Sequence, residues 1–351
     1  MKMRFRNKLF PIAAGLAFCV MARATYADGL IRPKVVVIAT FEIGQDTGDK
    51  PGEFQLWAER EKLGNPVTVP GVDHPVLSND AGVYGVVSGT TVRSAMQIMA
   101  LMSDPRFDFS KTYFLINGIA GVDPENASSG SAAWARWVID GDIAYEIDSR
   151  EASSEWPYGI VPIGGKKPNQ IPEDAPWAPK PMAWKLNPQL VNWAYELTKD
   201  TVIPDTDVAK KHRAKFTAWK PAQEPPKVIL GDSFGSCRYW HGITMTKWAN
   251  DWTKLYTDGE GDFVMSNMED QGIAAALDRL SKMGKVDFQR VLFLRTGSNF
   301  CMPHPGQTTA ESMTEEYSGT EPALESAYLA GSKVVHQLIS GWDQYEATIP
   351  K

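Results

Sequence analysis

Two segments place polar side chains directly after short apolar runs. Phe263-Val-Met-Ser-Asn leads into Met268-Glu269-Asp270, and Val291-Leu-Phe-Leu leads into Arg295-Thr-Gly-Ser298-Asn299. An apolar run of this length bounded by polar residues reads as a buried strand. In open α/β sheets, ligands bind just beyond the carboxyl ends of strands. A carboxylate there, Glu269, can stabilise positive charge developing on a ligand. The Ser298-Asn299 pair can donate and accept hydrogen bonds, but a carboxamide cannot deliver a proton. Glu42 stands in a similar place, three residues after the apolar run Val35-Val-Val-Ile-Ala39.

The elements that must carry these residues follow from periodicity. After Glu269, Ile273, Leu277 and Leu280 recur at helical spacing. Val35-Val-Val-Ile-Ala39 is continuously apolar, as a buried parallel strand is. A helix is predicted over 53–62. The segment from Tyr84 to Arg93 reads as a strand entering a helix, with Ala95, Ile98, Met99 and Met102 on one face. Tyr113-Phe-Leu-Ile116 is a further strand, expected to end at a turn, Asn117-Gly118-Ile119-Ala120-Gly121. Alternating strands and helices indicate an α/β domain. Residues 153–187 instead hold many prolines and three tryptophans, Trp156, Trp177 and Trp184. Aromatic content argues for order. Short helices are predicted at 189–199 and 206–216, and a strand at 227–230. One domain over 28–351 with an insertion at about 151–226 fits this pattern better than two domains.

The first 27 residues combine a basic start, a short apolar run from Leu9 to Ala22, and Thr25-Tyr26-Ala27 before Asp28. This is the composition of a secretory signal peptide. Its removal takes away five basic side chains and no acidic ones, so the net charge falls from −6 to −11. So acidic a chain is a poor partner for nucleic acid. No later segment reaches about 18 uninterrupted apolar residues, so no transmembrane helix is expected. The expected location is the periplasm or the exterior. Cys237 and Cys301 remain in the mature chain and could pair in an oxidising compartment. Neither they nor the histidines show metal-ligand spacing.

The Met268-Glu269 elbow and the Arg295-x-x-Ser298-Asn299 strand together resemble the nucleoside phosphorylase and nucleosidase superfamily. The whole is most similar to its secreted branch, the purine nucleoside permease family. The resemblance implies a nucleoside-phosphorylase-like domain: a central mixed, twisted sheet flanked by helices. It implies that Glu269, with Met268 beside it, binds the ribose and steadies an oxocarbenium-like sugar. Many relatives carry Ser-Asp where this chain has Ser298-Asn299, and their aspartate protonates purine N7. Asn299 can only hydrogen-bond the base, so 6-oxopurine substrates are expected over adenosine. Thr40-Phe41-Glu42 resembles the start of the hydrolytic members, where the glutamate activates the attacking water. The 117–121 stretch resembles a Gly-Ser-Ala-Gly-Gly turn that holds phosphate in the phosphorylases. Here Gly118 is kept, but Ile119 replaces the serine. Ser88, Thr90, Thr91 and Arg93 offer a substitute anion site.

Gly231-Asp232-Ser233-Phe234 allows two readings. In one, Phe234 stacks on the base. In the other, Ser233 is an esterase nucleophile, which requires a late Asp-x-x-His that does not occur after Ser233. No cofactor is implied, and phosphate is the one cosubstrate left open. The expected partner is a small purine nucleoside, and the expected assembly is a homo-oligomer. Three functions stay open: hydrolysis, phosphorolysis, and nucleoside binding in support of transport.

Overall fold

The computed structural model describes residues 29–171, 177–178 and 180–351. The signal peptide expected over residues 1–27 lies outside the described residues. The strands are β1 (Val35–Ala39), β2 (Asn65–Val67), β3 (Val76–Ser78), β4 (Val83–Val87), β5 (Tyr113–Val122), β6 (Ala132–Trp134) and β7 (Trp137–Asp140). They continue as β8 (Ala144–Glu146), β9 (Ile160–Pro162), β10 (Ala183–Lys185), β11 (Val228–Leu230), β12 (Asp232–Gly235), β13 (Phe263–Asn267) and β14 (Val291–Phe300). The helices are α1 (Gln55–Arg60), α2 (Val92–Ser103), α3 (Pro188–Thr198), α4 (Asp207–Arg213), α5 (Lys220–Gln223), α6 (Ile243–Tyr256), α7 (Asp270–Lys282), α8 (Thr309–Thr314), α9 (Thr320–Ser340) and α10 (Trp342–Tyr345).

Twelve strands form one mixed sheet in the order β10-β7-β12-β13-β5-β1-β4-β3-β2, with β14 beside β5 and β6, and β11 beside β6. β1 lies parallel between β4 and β5, and all five of its residues are buried. Burial on both faces is what its unbroken apolar run requires. The expected apolar face of α7, Ile273, Leu277 and Leu280, is fully buried.

β5 and β14 run longer than their apolar starts suggest. β5 does not turn at Asn117 but continues to Val122, pairing with β14 along one side and with β13 near its end. Its backbone groups therefore find strand partners, and the small Gly118, Ala120 and Gly121 let neighbouring side chains crowd the sheet. Asn117 itself is buried. Its Oδ1 accepts from Trp57 Nε1 at 3.0 Å and its Nδ2 donates to the Ala327 carbonyl at 3.1 Å, joining α1 and α9 to the sheet. β14 slips register between Gly297 and Asn299, which leaves Ser298 as the extra residue of a bulge.

Residues 151–226 contribute β9, β10 and α3 to α5. β10 extends the sheet beyond β7 and carries the buried Trp184. A second core of aromatics, Phe234, Trp248, Trp252 and Phe263 with Tyr158, fills the space under α6. Cys237 and Cys301 are both free.

Candidate functional site

The end of β13 is shaped by Asn267. Its Oδ1 accepts the backbone N–H groups of Glu269 at 3.2 Å and Asp270 at 2.9 Å, capping the start of α7. Its Nδ2 donates to Ser233 Oγ at 2.7 Å, and that hydroxyl donates to Asp270 Oδ2 at 2.6 Å. Ser233 is thus committed to holding Asp270, a carboxylate that is itself paired with Arg295.

Arg295, 1% exposed, projects from β14 into this elbow. Its guanidinium donates to Asp270 Oδ1 through Nη2 at 2.6 Å and through Nε at 3.1 Å. Nη2 also donates to Glu269 Oε2 at 3.3 Å, and Nη1 donates to the Ile119 carbonyl at 3.1 Å. On the other side Nη1 lies 3.6 Å from Glu53 Oε1. Glu53 accepts from the Thr40 N–H at 2.8 Å, Thr40 Oγ1 at 2.7 Å and the Ile119 N–H at 2.7 Å. One buried guanidinium therefore faces three buried carboxyl groups.

The electrostatics follow from that ratio. Burial pushes Glu269 up to about 7, with Arg295 opposing and Glu53 and Asp270 adding to the rise. Burial raises Glu53 as well, against the pull of Arg295. For Arg295, burial alone disfavours the charge, but the three carboxylates outweigh it and keep the guanidinium protonated. Gly118 makes room for the cluster, because a Cβ there would collide with Arg295 Nη1 and Glu53 Oε1. Gly118→Ala is expected to lose about 1–3 kcal/mol of stability, as overpacked cores do. Chemical denaturation checks this, and an unchanged midpoint would mean that the cluster yields without cost.

The other expected site residues are distributed as follows. Met268 is half-buried, and its N–H donates to Glu269 Oε2 at 3.1 Å. Ser298 and Asn299 lie on the same strand as Arg295, within the bulge. Asn299 pairs with Gly121 across the sheet, and a Cβ on Gly121 would lie 3.6 Å from Asn299 Nδ2. Asn299 also lines a narrow recess with His212, Phe216 and Tyr317. A cavity of about 1190 Å³ shares His212 and Tyr317 with that recess and is bounded further by Lys50, Lys211 and Lys215. Thr91 holds a left-handed backbone, φ 59°, at the start of α2, a strained conformation for a branched residue. α2 packs on α7, and a Cβ on Gly272 would meet Thr91 O at 3.6 Å. Arg93 is exposed.

Two expected roles meet a different geometry. Glu42 accepts backbone N–H bonds from Ile43 at 2.7 Å, Phe54 at 2.8 Å, Gln55 at 2.6 Å and from Gly52. Four donors fill its acceptor sites, so it fixes the 43–54 loop and the start of α1 and has no free lone pair for a water here. Phe234, expected to stack on a base, is fully buried with its ring edge-on to Trp248 at 4.8 Å and Phe263 at 5.7 Å. Those neighbours occupy the space a base would need.

The sequence pattern of the purine nucleoside permease family matches residues 32–350. The chain belongs to that family. It is 26% identical over 335 residues to a purine nucleoside permease of Candida albicans, covering 92% of this chain and 79% of the relative. It is 28% identical over 332 residues to a probable purine nucleoside permease of Schizosaccharomyces pombe, covering 90% and 92%. Among solved structures, it is similar to the 5'-methylthioadenosine/S-adenosylhomocysteine nucleosidase of Neisseria meningitidis bound to methylthio-immucillin-A, with TM-score 0.51 and 14% identity over 88% of this chain and 100% of that one. The futalosine hydrolase of Helicobacter pylori gives TM-score 0.53 and 12% identity over 87% and 98%. At these identities the likeness is one of fold.

For this member of the purine nucleoside permease family, sequence reasoning missed Glu53, Asp270 and Asn267. Asp270 adjoins Glu269, and Arg295 opens the polar part of the second motif, so a buried ion pair between them was open to inference. Glu53 gave no separable signal, because an acid at a predicted helix start is commonplace. No group of three or more potential metal ligands occurs among the described residues.

Proposed function

We propose that this chain binds purine nucleosides and cleaves their N-glycosidic bond. Family membership and the nucleosidase-like fold support nucleoside binding. The observation that carries cleavage is the Glu269 carboxylate, buried at the carboxyl end of β13 and held by Arg295. Glycosidic cleavage passes through an oxocarbenium-like sugar, and a desolvated, preorganised carboxylate stabilises that charge far better than water does. We read Asn299 as lying at the base end, where an amide that cannot protonate N7 favours 6-oxopurines.

Water is favoured over phosphate as the nucleophile on grounds of charge. Gly118 and Ile119, where related phosphorylases would hold phosphate, are flanked here by Glu53 and Arg295, and the cluster has an excess of acid. The Ile119 N–H is already committed to Glu53. A phosphate dianion would meet repulsion and too few donors. The four backbone bonds of Glu42 must rearrange if it is to serve the water.

No helix among the described residues is long and apolar enough to cross a membrane. We therefore read the relatives' permease name as uptake assisted by releasing the base outside the inner membrane, after export and cleavage behind Ala27. Assembly as a homo-oligomer belongs to the same reading. The exposed Val92 and Met96, one turn apart on α2, support it. A non-catalytic binding protein is the second reading, favoured by the amide at position 299.

The test is a nucleoside panel incubated across a range of phosphate concentrations, with products separated by chromatography. Free ribose at a phosphate-independent rate is the expected result. Ribose 1-phosphate, formed at a rate that climbs with phosphate, would replace hydrolysis by phosphorolysis.

A further inference from the structure

We propose that Tyr239 donates a hydrogen bond to N7 of the departing purine, in place of the acid absent at position 299. This rests on the cleavage reading above. Asn299 Nδ2 donates to the Phe300 carbonyl at 3.1 Å and to Tyr239 Oη at 3.3 Å, and Asn299 Oδ1 accepts from Ser298 Oγ at 2.9 Å. Both amide hydrogens are thereby placed. Tyr317 Oη also donates to Tyr239 Oη, at 3.0 Å. The Tyr239 oxygen accepts twice, and its own hydrogen has no acceptor among the described residues. A phenol carries one hydrogen to donate, and here that hydrogen is left open at the surface, free for an incoming acceptor. Tyr239 is 44% exposed, so a ligand can reach it.

The ring is held in place. It stacks on His241 with centroids 6.3 Å apart and planes 7° from parallel. His241 Nε2 in turn meets Ser312 Oγ at 2.9 Å, and burial lowers that imidazole to about 4, so it is neutral at neutral pH. Asn299, Tyr317 and His241 are positioning residues for the phenol.

The chemistry balances without a cofactor. The electron pair of the breaking C1'–N9 bond leaves with the purine, whose negative charge spreads onto N7. Water oxygen forms the new bond to C1', and a water proton ends on the base or in solvent. Tyr239 keeps its proton. Burial raises its pKa well above the ordinary tyrosine range, so it stabilises the anion by hydrogen bonding and does not ionise.

Two substrates separate this role from a structural one. Inosine needs help at its leaving group. p-Nitrophenyl β-D-ribofuranoside does not, because its phenolate is stable. In the mature protein, Tyr239→Phe is expected to lower kcat/KM for inosine by roughly 10- to 100-fold, and for the nitrophenyl riboside by less than about threefold. Tyr317→Phe leaves the Tyr239 proton in place and is expected to be milder on inosine. Equal losses on both substrates, or none on inosine, would overturn the inference. If Tyr239→Phe does not fold, 7-deazainosine tests the same contact with the unmodified protein, because it lacks the N7 acceptor. Turnover of 7-deazainosine equal to that of inosine would overturn the inference. Cleavage of neither inosine nor the nitrophenyl riboside by the unmodified protein would overturn the cleavage reading along with it.

Discussion

Glu269→Gln is expected to lower kcat/KM for inosine by roughly 10²-fold or more, the scale of losing one preorganised transition-state contact. The same change is expected to stabilise the fold at alkaline pH. An ordinary glutamate ionises near 4.5, whereas Glu269 keeps its proton to about 7. Between those values the unfolded chain has released a proton that the folded chain retains. Stability therefore falls as pH rises through this window, by on the order of 3 kcal/mol for this group. Glutamine removes that loss, so the variant should melt higher than the parent at pH 8 and close to it at pH 4. Activity runs the other way. In the proposed reaction the ionised carboxylate steadies the sugar cation, so parental kcat/KM should fall as pH drops through about 7. Paired melting curves and pH–rate profiles check both parts. A fully active variant would remove Glu269 from the chemistry.

Arg295→Met is expected to cost about 3–5 kcal/mol, because it strands buried charge. Glu53, Glu269 and Asp270 would lose their shared counter-ion, and the Ile119 carbonyl would lose a donor. Raising the pH worsens the repulsion, since the carboxyls then ionise without compensation. The melting temperature should drop by on the order of 10 °C at pH 8 and by less at pH 5. An equal drop at both pH values would mean that lost packing, and not charge, makes Arg295 important.

The fold was readable in the sequence wherever apolar residues kept a regular period. β1, α2 and α7 lie where their spacing puts them, because burial on one face or both dictates that spacing. The 117–121 stretch was not readable as strand. Its glycines and Asn117 mimic a turn, and only pairing with β13 and β14, distant in sequence, keeps it extended. The site shows the same division. Glu269 and Asn299 were legible as candidates because they follow apolar strands. Glu53 did not, because it reaches Arg295 only once α1 folds back against β1 and β5. Glu42 sits on the expected loop, yet its carboxylate is occupied by the backbone of that loop, a detail that spacing does not encode. Phe234 was misplaced for a similar reason: α6 supplies Trp248 and the next strand supplies Phe263, and together they enclose its ring.

The central claim is that the centre built on Glu269 and Arg295 breaks a purine N-glycosidic bond. Its most direct test is a single-turnover measurement, with the mature protein in excess over inosine in phosphate-free buffer and the products resolved by chromatography. Complete conversion to hypoxanthine and free ribose is the expected result. Inosine that is bound by the protein yet recovered intact would contradict the claim and leave a binding protein.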